Sequence, residues 1–107
     1  MSGHQEREQA RHVARALSLP FVDLDDYRIS GGILRKVPAR ICRENRIVPM
    51  VYNSRRVVLV VDAPASLAWV EANRDDVGVP QEVELEFAVT APSSLDSVLE
   101  RRTLLRD

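Results

Sequence analysis

Few side chains in this 107-residue chain are of types that do chemistry, and their spacing decides what each can do. The single cysteine, Cys42, lies in the run Ala39–Asn45 beside Arg40, Arg43 and Arg46. Nearby guanidinium groups would lower its pKa and favour a reactive thiolate. Free cysteine is nevertheless among the most buried residue types, and beside Ile41 it reads as a small apolar residue on the inner side of a helix. His4 and His12 stand eight positions apart, with no cysteine or carboxylate at zinc-ligand spacing, and read as solvated helix residues. Glu82, Glu84 and Glu86 alternate along one strand face, as a divalent-ion site or an acid/base pair would need. A solvated outer strand face accounts for them as well. The adjacent glycines Gly31-Gly32 are followed by Ile33 and Leu34 with no lysine at the required distance, so no phosphate-binding loop of the Walker type is present. No catalytic residue, metal ligand or cofactor-binding residue is assigned, and no cofactor is expected.

The arginines carry the stronger signal. Residues 28–46 hold Arg28, Arg35, Lys36, Arg40, Arg43 and Arg46 against Glu44 alone. Residues 71–86 hold Glu71, Asp75, Asp76, Glu82, Glu84 and Glu86 against Arg74, so a net charge of -1 conceals two opposite poles. Poles of this kind steer charged partners, and they also serve simply as solvated faces. Guanidinium forks match phosphate oxygens, which raises nucleic-acid or nucleotide binding. Without interleaved aromatic residues, and with an acidic total, nucleic acid is not expected as a partner. Trp69, the only tryptophan, reads evenly as a packing residue and as an anchor in a partner interface.

The elements that must position these residues follow from periodicity. Ala10, Val13, Ala14 and Leu17 fall at helical spacing and predict an amphipathic helix from residue 5 to about 18, ended by Pro20. Phe21, Val22 and Leu24 predict a short extended segment. Ser30 is a candidate N-cap for one helical turn through Val37, and Pro38 suits the first turn of a helix ending near Asn45. Ile47–Tyr52 and Arg55–Val61 predict two strands joined at Asn53-Ser54. The second is apolar from Val57 to Val61, the pattern of a central strand covered on both faces. Asp62 and Pro64 predict the start of a helix running to Gly78, with Leu67 and Val70 inward. Residues 82–89 alternate strictly, which predicts a strand with one face on helices and one in solvent. Thr90 is expected to cap a last helix with Leu95, Val98 and Leu99 inside. The fold expected is α+β, a small three-stranded sheet in a β-β-α-β-α core with helices packed on one face, preceded by short N-terminal helices.

With 45% hydrophobic and 29% charged residues, the composition is that of an ordinary globular chain, expected to form one domain over 1–107 with a core at about 10–102. The longest apolar run is far too short to span a bilayer, so no direct membrane insertion is expected. The polar N-terminus lacks the apolar stretch of a secretory signal, and the lone cysteine agrees with a reducing compartment; a cytoplasmic location is expected.

The order Leu19-Pro20-Phe21-Val22-Asp23-Leu24, then Val37-Pro38, then Ile47-Val48-Pro49-Met50, then Val57–Val61 with Asp62 and Pro64, resembles one family. It is similar to the N-terminal domain of type II secretion and type IV pilus assembly ATPases. The resemblance implies a bacterial, non-catalytic protein-interaction and regulatory domain. Such a domain docks a secretion, pilus or motility component to its partner and is drawn to the inner membrane through a platform protein. Partner contacts are expected at Arg35, Lys36, Arg40, Arg43 and Trp69. Some members of that family bind cyclic di-GMP through an upstream double motif of the form Arg-Leu-Gly, so a cyclic dinucleotide sensor is the alternative. This sequence contains no Arg-Leu-Gly and begins after the place where that motif would stand. The chain is expected to be a stand-alone or excised form of the domain without its motor. Because it lacks a phosphate loop, the purified protein should release no phosphate from ATP above a heat-inactivated control.

Overall fold

A computed structural model of the chain describes residues 2–105, and side chains from Gln5 onward. Helix α1 (Ser2–Ala16) turns Ala10 and Ala14 into the core with Val13 and Leu17 beside them. A loop leads to the short helices α2 (Gly31–Leu34) and α3 (Ala39–Asn45). Strands β1 (Ile47–Tyr52) and β2 (Arg56–Val61) form an antiparallel hairpin. Helices α4 (Pro64–Ala72) and α5 (Arg74–Val77) lead to β3 (Glu84–Val89), and helix α6 (Pro92–Leu104) follows. The sheet order is β1-β2-β3, with β3 parallel to β2. The architecture is the α+β fold expected, with a mixed sheet of three strands.

The centrality of β2 follows from its composition. Val57, Val58, Leu59, Val60 and Val61 are each at most 3% exposed, which requires protein on both faces. One cover is made by α1, α3 and α6, which contact one another and the outer strands; α4 and α5 pack on each other, with α4 on β2. Strand β3 follows the alternating expectation only at its start, where Glu84 is exposed and Glu86 half-buried. Phe87, Ala88 and Val89 are all buried because Phe21 bridges Val89 on the outer edge. The Val22 amide donates to the Val89 carbonyl at 2.8 Å, and the Val89 amide donates to the Pro20 carbonyl at 2.9 Å. The extended Leu-Pro-Phe-Val segment thus adds a single bridged residue, Phe21, to the sheet.

Caps account for the remaining departures. Ser30 caps α2 as expected, its hydroxyl accepting from the Ile33 amide at 3.2 Å. Pro38 stands at the N-cap of α3, just before its first turn. The hairpin turn is organised by Asn53, whose side-chain oxygen accepts from the amides of Arg55 and Arg56, each at 2.9 Å. The helix expected to run from Pro64 to Gly78 is broken at Asn73, whose side chain donates to the Trp69 carbonyl at 2.9 Å and whose own ψ of 37° departs from helix. Gly78, at φ 86°, closes α5 in the left-handed conformation that glycine adopts without strain. Neither Asp62 nor Thr90 caps a helix. The N-cap residues are Ala63 and Ala91, Asp62 is held by an arginine, and Thr90 is fully buried with its hydroxyl unpartnered.

Leu59 is fully buried in the central strand. Replacing it with alanine should lower the unfolding free energy by about 2–5 kcal/mol, read as a shift of the chemical-denaturation midpoint.

Candidate docking surface

The basic segment is built on α2 and α3, which pack on β1. Two consecutive arginines of α6 hold it from beneath. Arg102 is fully buried, and its Nε and one terminal nitrogen both donate to the Val37 carbonyl, at 3.1 and 3.0 Å. Arg101 donates to the Ile29 carbonyl. Val37 follows Lys36 directly and Ile29 precedes the cap Ser30, so both ends of the α2 turn are tied to α6. Cys42 lies against the same carbonyl, its Sγ 3.8 Å from the Val37 oxygen, and is fully buried; the apolar reading of this cysteine is the one realised.

Above this anchor, Arg35, Lys36, Arg40 and Arg43 are all exposed. Arg40 and Arg43, three positions apart on α3, share a helix face. The Lys36 ammonium lies 5.8 Å from the centre of the Tyr52 ring, a cation–π contact that tethers its stem to β1. Arg28 is exposed in the loop before the cap. Among the described residues none of these cations is in an ion pair, so their charge faces solvent undiminished.

Arg46 differs from the rest of the basic run. It ends α3 in the left-handed conformation, at φ 53°, and its amide donates to the Cys42 carbonyl. Its guanidinium meets Asp62 at 2.7 Å and Asp96 at 2.8 Å, and reaches the Pro92 carbonyl at 3.4 Å. Its pKa is raised, first by the hydrogen bond to Asp62 and then by that to Asp96, while partial burial pulls the other way. One side chain therefore ties the end of α3 to the end of β2 and the start of α6. Trp69, on α4, is half-buried and lines a cleft with Glu44, Asn45, Arg46 and Asp62. It lies across the α3–α4 junction and joins none of the four exposed cations in the lining of that cleft.

The acidic residues are dispersed. Glu86 pairs with Arg56 at 2.8 Å across the strands, Glu84 is exposed, and Glu82 precedes β3. His12 is exposed on α1, while the His4 side chain lies outside the described residues. Among the described residues there is no group of three His, Cys, Asp or Glu side chains able to hold a metal ion, and no helix long and apolar enough to cross a membrane.

Two features of this region were hidden from pattern reading. Arg102 follows Leu95, Val98 and Leu99 at the next position of the same inner stripe, and a charge on an apolar stripe was the available signal. Arg46 gave no such signal, because its partners lie 16 and 50 residues away.

A mixed three-stranded sheet clad by helices and carrying an exposed cationic turn defines a small α+β domain. The MshEN domain model matches residues 17–106, and the chain belongs to that family. This agrees with the resemblance to the N-terminal domains of secretion and pilus ATPases. Among solved structures, it is similar to MshE with cdg, at a TM-score of 0.74 and 20% identity, over 88% of this chain and 66% of that one. It is also similar to the N-terminal domain of XpsE, at a TM-score of 0.66 and 24% identity, over 90% of this chain and 65% of that one. The chain thus spans 66% and 65% of the two solved chains, and at these identities the likeness establishes the fold. No curated protein matches it.

Replacing Arg102 with methionine would leave the Val37 carbonyl without either of these donors. The variant should lose about 1.5–3 kcal/mol of stability, read by thermal or chemical denaturation. Amide exchange should quicken first at Leu34–Val37.

Proposed function

We propose that this domain is a non-catalytic docking and regulatory module that recruits a component of a secretion, type IV pilus or motility machine. Its partner is a protein, such as the cytoplasmic part of an inner-membrane platform, and contact is made through Arg35, Lys36, Arg40 and Arg43. The observation that carries this reading is the set of four exposed cations, none in an ion pair among the described residues, on α3 and on the turn before it that buried Arg102 anchors. Arginine is over-represented at interface centres, and unneutralised charge steers a complementary surface into place. The partner surface is accordingly acidic. Membership of the MshEN family gives the reading its context.

The test reverses two charges. The double variant Arg40→Glu/Arg43→Glu alters only exposed side chains, so it should fold normally and keep its denaturation midpoint. Capture of the native partner should fall by about tenfold or more, and association should lose most of its salt sensitivity. Undiminished capture by the folded variant refutes the assignment of this surface.

A second reading is favoured by MshE having been solved with cdg, taken as cyclic di-GMP: the domain senses a cyclic dinucleotide at the same arginines. Guanidinium groups suit its phosphates, although the sequence has no Arg-Leu-Gly. Calorimetric titration separates the readings. Saturable heat with cyclic di-GMP, lost in the double variant, favours the sensor; no heat up to about 100 µM leaves the docking module.

A further inference from the structure

We propose that the cleft between the end of α3 and the start of α4 receives a cationic side chain, arginine or lysine, from a partner protein. The cleft measures about 340 Å³ and is lined by Glu44, Asn45, Arg46, Asp62, Ser66 and Trp69 among others. This volume lies at the lower end of the range for specific pockets, roughly 300–1,000 Å³.

The argument rests first on Asp62. Its side chain is only 6% exposed, and one carboxylate oxygen takes both contacts from Arg46, at 2.8 Å from Nε and 2.7 Å from a terminal nitrogen. The other oxygen, Oδ1, is buried and has no hydrogen-bond partner. A buried, unpartnered carboxylate oxygen is rare and marks a missing donor. The rest of the lining asks for the same chemistry. Glu44 stands exposed with no ion pair among the described residues. Asn45 uses its amide nitrogen on the Ile41 carbonyl at 3.2 Å, which leaves its oxygen to accept. A guanidinium is all donor and an ammonium likewise, so either suits the acceptors of Asp62, Glu44 and Asn45, while its apolar stem suits Ala63, Ala65 and Trp69.

Trp69 supplies the second element. Its half-buried indole borders the same space, and a cation over an indole face is attracted by the ring quadrupole. The sign of the charge is settled locally. Arg46 is neutralised by Asp62 and by Asp96 at 2.8 Å, so Glu44 leaves the cleft with excess negative charge and an anion is repelled. Arg35, Lys36, Arg40 and Arg43 do not line this cleft, and its excess charge is opposite to theirs. The biological partner rests on the docking reading; the binding of a cation does not.

Because Trp69 is the only tryptophan, its emission reports this cleft alone. The full chain is titrated with acetyl-Gly-Arg-Gly-amide and with the same peptide carrying uncharged citrulline, while amide shifts are followed by NMR. The arginine peptide should give a saturable response with half-saturation of roughly 1–10 mM. Shifts should be confined to Asn45, Ser66 and the Trp69 indole. The citrulline peptide should give none. Glu44→Lys, an exposed change, should weaken binding about tenfold with the fold intact, and Asp62→Asn serves as a second variant if it folds. Arg40→Glu/Arg43→Glu should keep both the saturation and the discrimination against citrulline, so failure of the docking reading and failure of this site are told apart. Absence of saturation by about 20 mM, an equal response to citrulline, or indifference to Glu44→Lys overturns the proposal, and a bound water then completes Asp62.

Discussion

The guanidinium of Arg102, fully buried and donating twice to the Val37 carbonyl, is the constraint on which the presentation of the basic surface depends. The Val37 carbonyl lies between two short helices, and α3 offers it only the Cys42 thiol, a weak donor at 3.8 Å. Water is excluded there, so the donors must come from elsewhere in the chain, and α6 supplies them across 65 residues. Burying a charged side chain is costly unless its hydrogen bonds are made. Here two N–H groups converge on one oxygen, and Arg101 next to it takes the Ile29 carbonyl. The α2 turn is thereby fastened at both ends to a helix that also packs on β1. Exposed arginines on a loose loop would lose conformational entropy on meeting a partner. On this fastened turn the backbone's share of that loss has already occurred during folding, and only the side chains remain to be ordered.

A second tie has a similar logic with different chemistry. Arg46 occupies a backbone conformation that usually belongs to glycine, yet its side chain joins three elements through Asp62, Asp96 and the Pro92 carbonyl. Glycine there would relax the backbone and untie the elements. Glu6 adds a comparable link on the other side, its carboxylate accepting from the Ser93 amide at the start of α6, where a negative charge is favoured by the helix dipole. The last helix is thus held near its start by residues from α1 and α3, and in its last turns it holds the loop before α2 and the turn after it.

Much of this was legible in the sequence because the strongest constraints are local. The unbroken apolar run of β2, the alanine stripe of α1, the Ser30 cap and the prolines at element boundaries each act within a few residues. What escaped depends on contacts across long separations. The break at Asn73 comes from a side chain competing with its own helix. The burial at the end of β3 comes from Phe21, 68 residues earlier in the chain. Thr90 was expected to cap α6, but the chain turns into the helix one residue later and leaves the hydroxyl inside. Of the expected surface residues, the four exposed cations were visible from charge clustering alone. Arg46 was counted among them and proved structural, since nothing in its neighbourhood announces Asp62 or Asp96. Trp69 could be read either way from sequence, and the cleft it borders exists only once α3 and α4 meet.

The single bridge of Phe21, flanked by the Pro20 carbonyl and the Val22 amide, bears on how such a sheet survives in a crowded solution. An open sheet has two rims of unpaired backbone groups, each a template for another chain to polymerise upon. At β3 the rim is capped at its buried end by Phe21 and Val22 and bordered at its other end by Glu84 and Glu86. At β1 the rim carries Pro49, which has no N–H to offer, and the register shifts between Pro49 and Val51. Neither rim offers a long regular ladder. A strand laid along either rim would find its ladder broken within a few residues, so the sheet is closed to extension by backbone pairing and only side chains remain to be read on its edges.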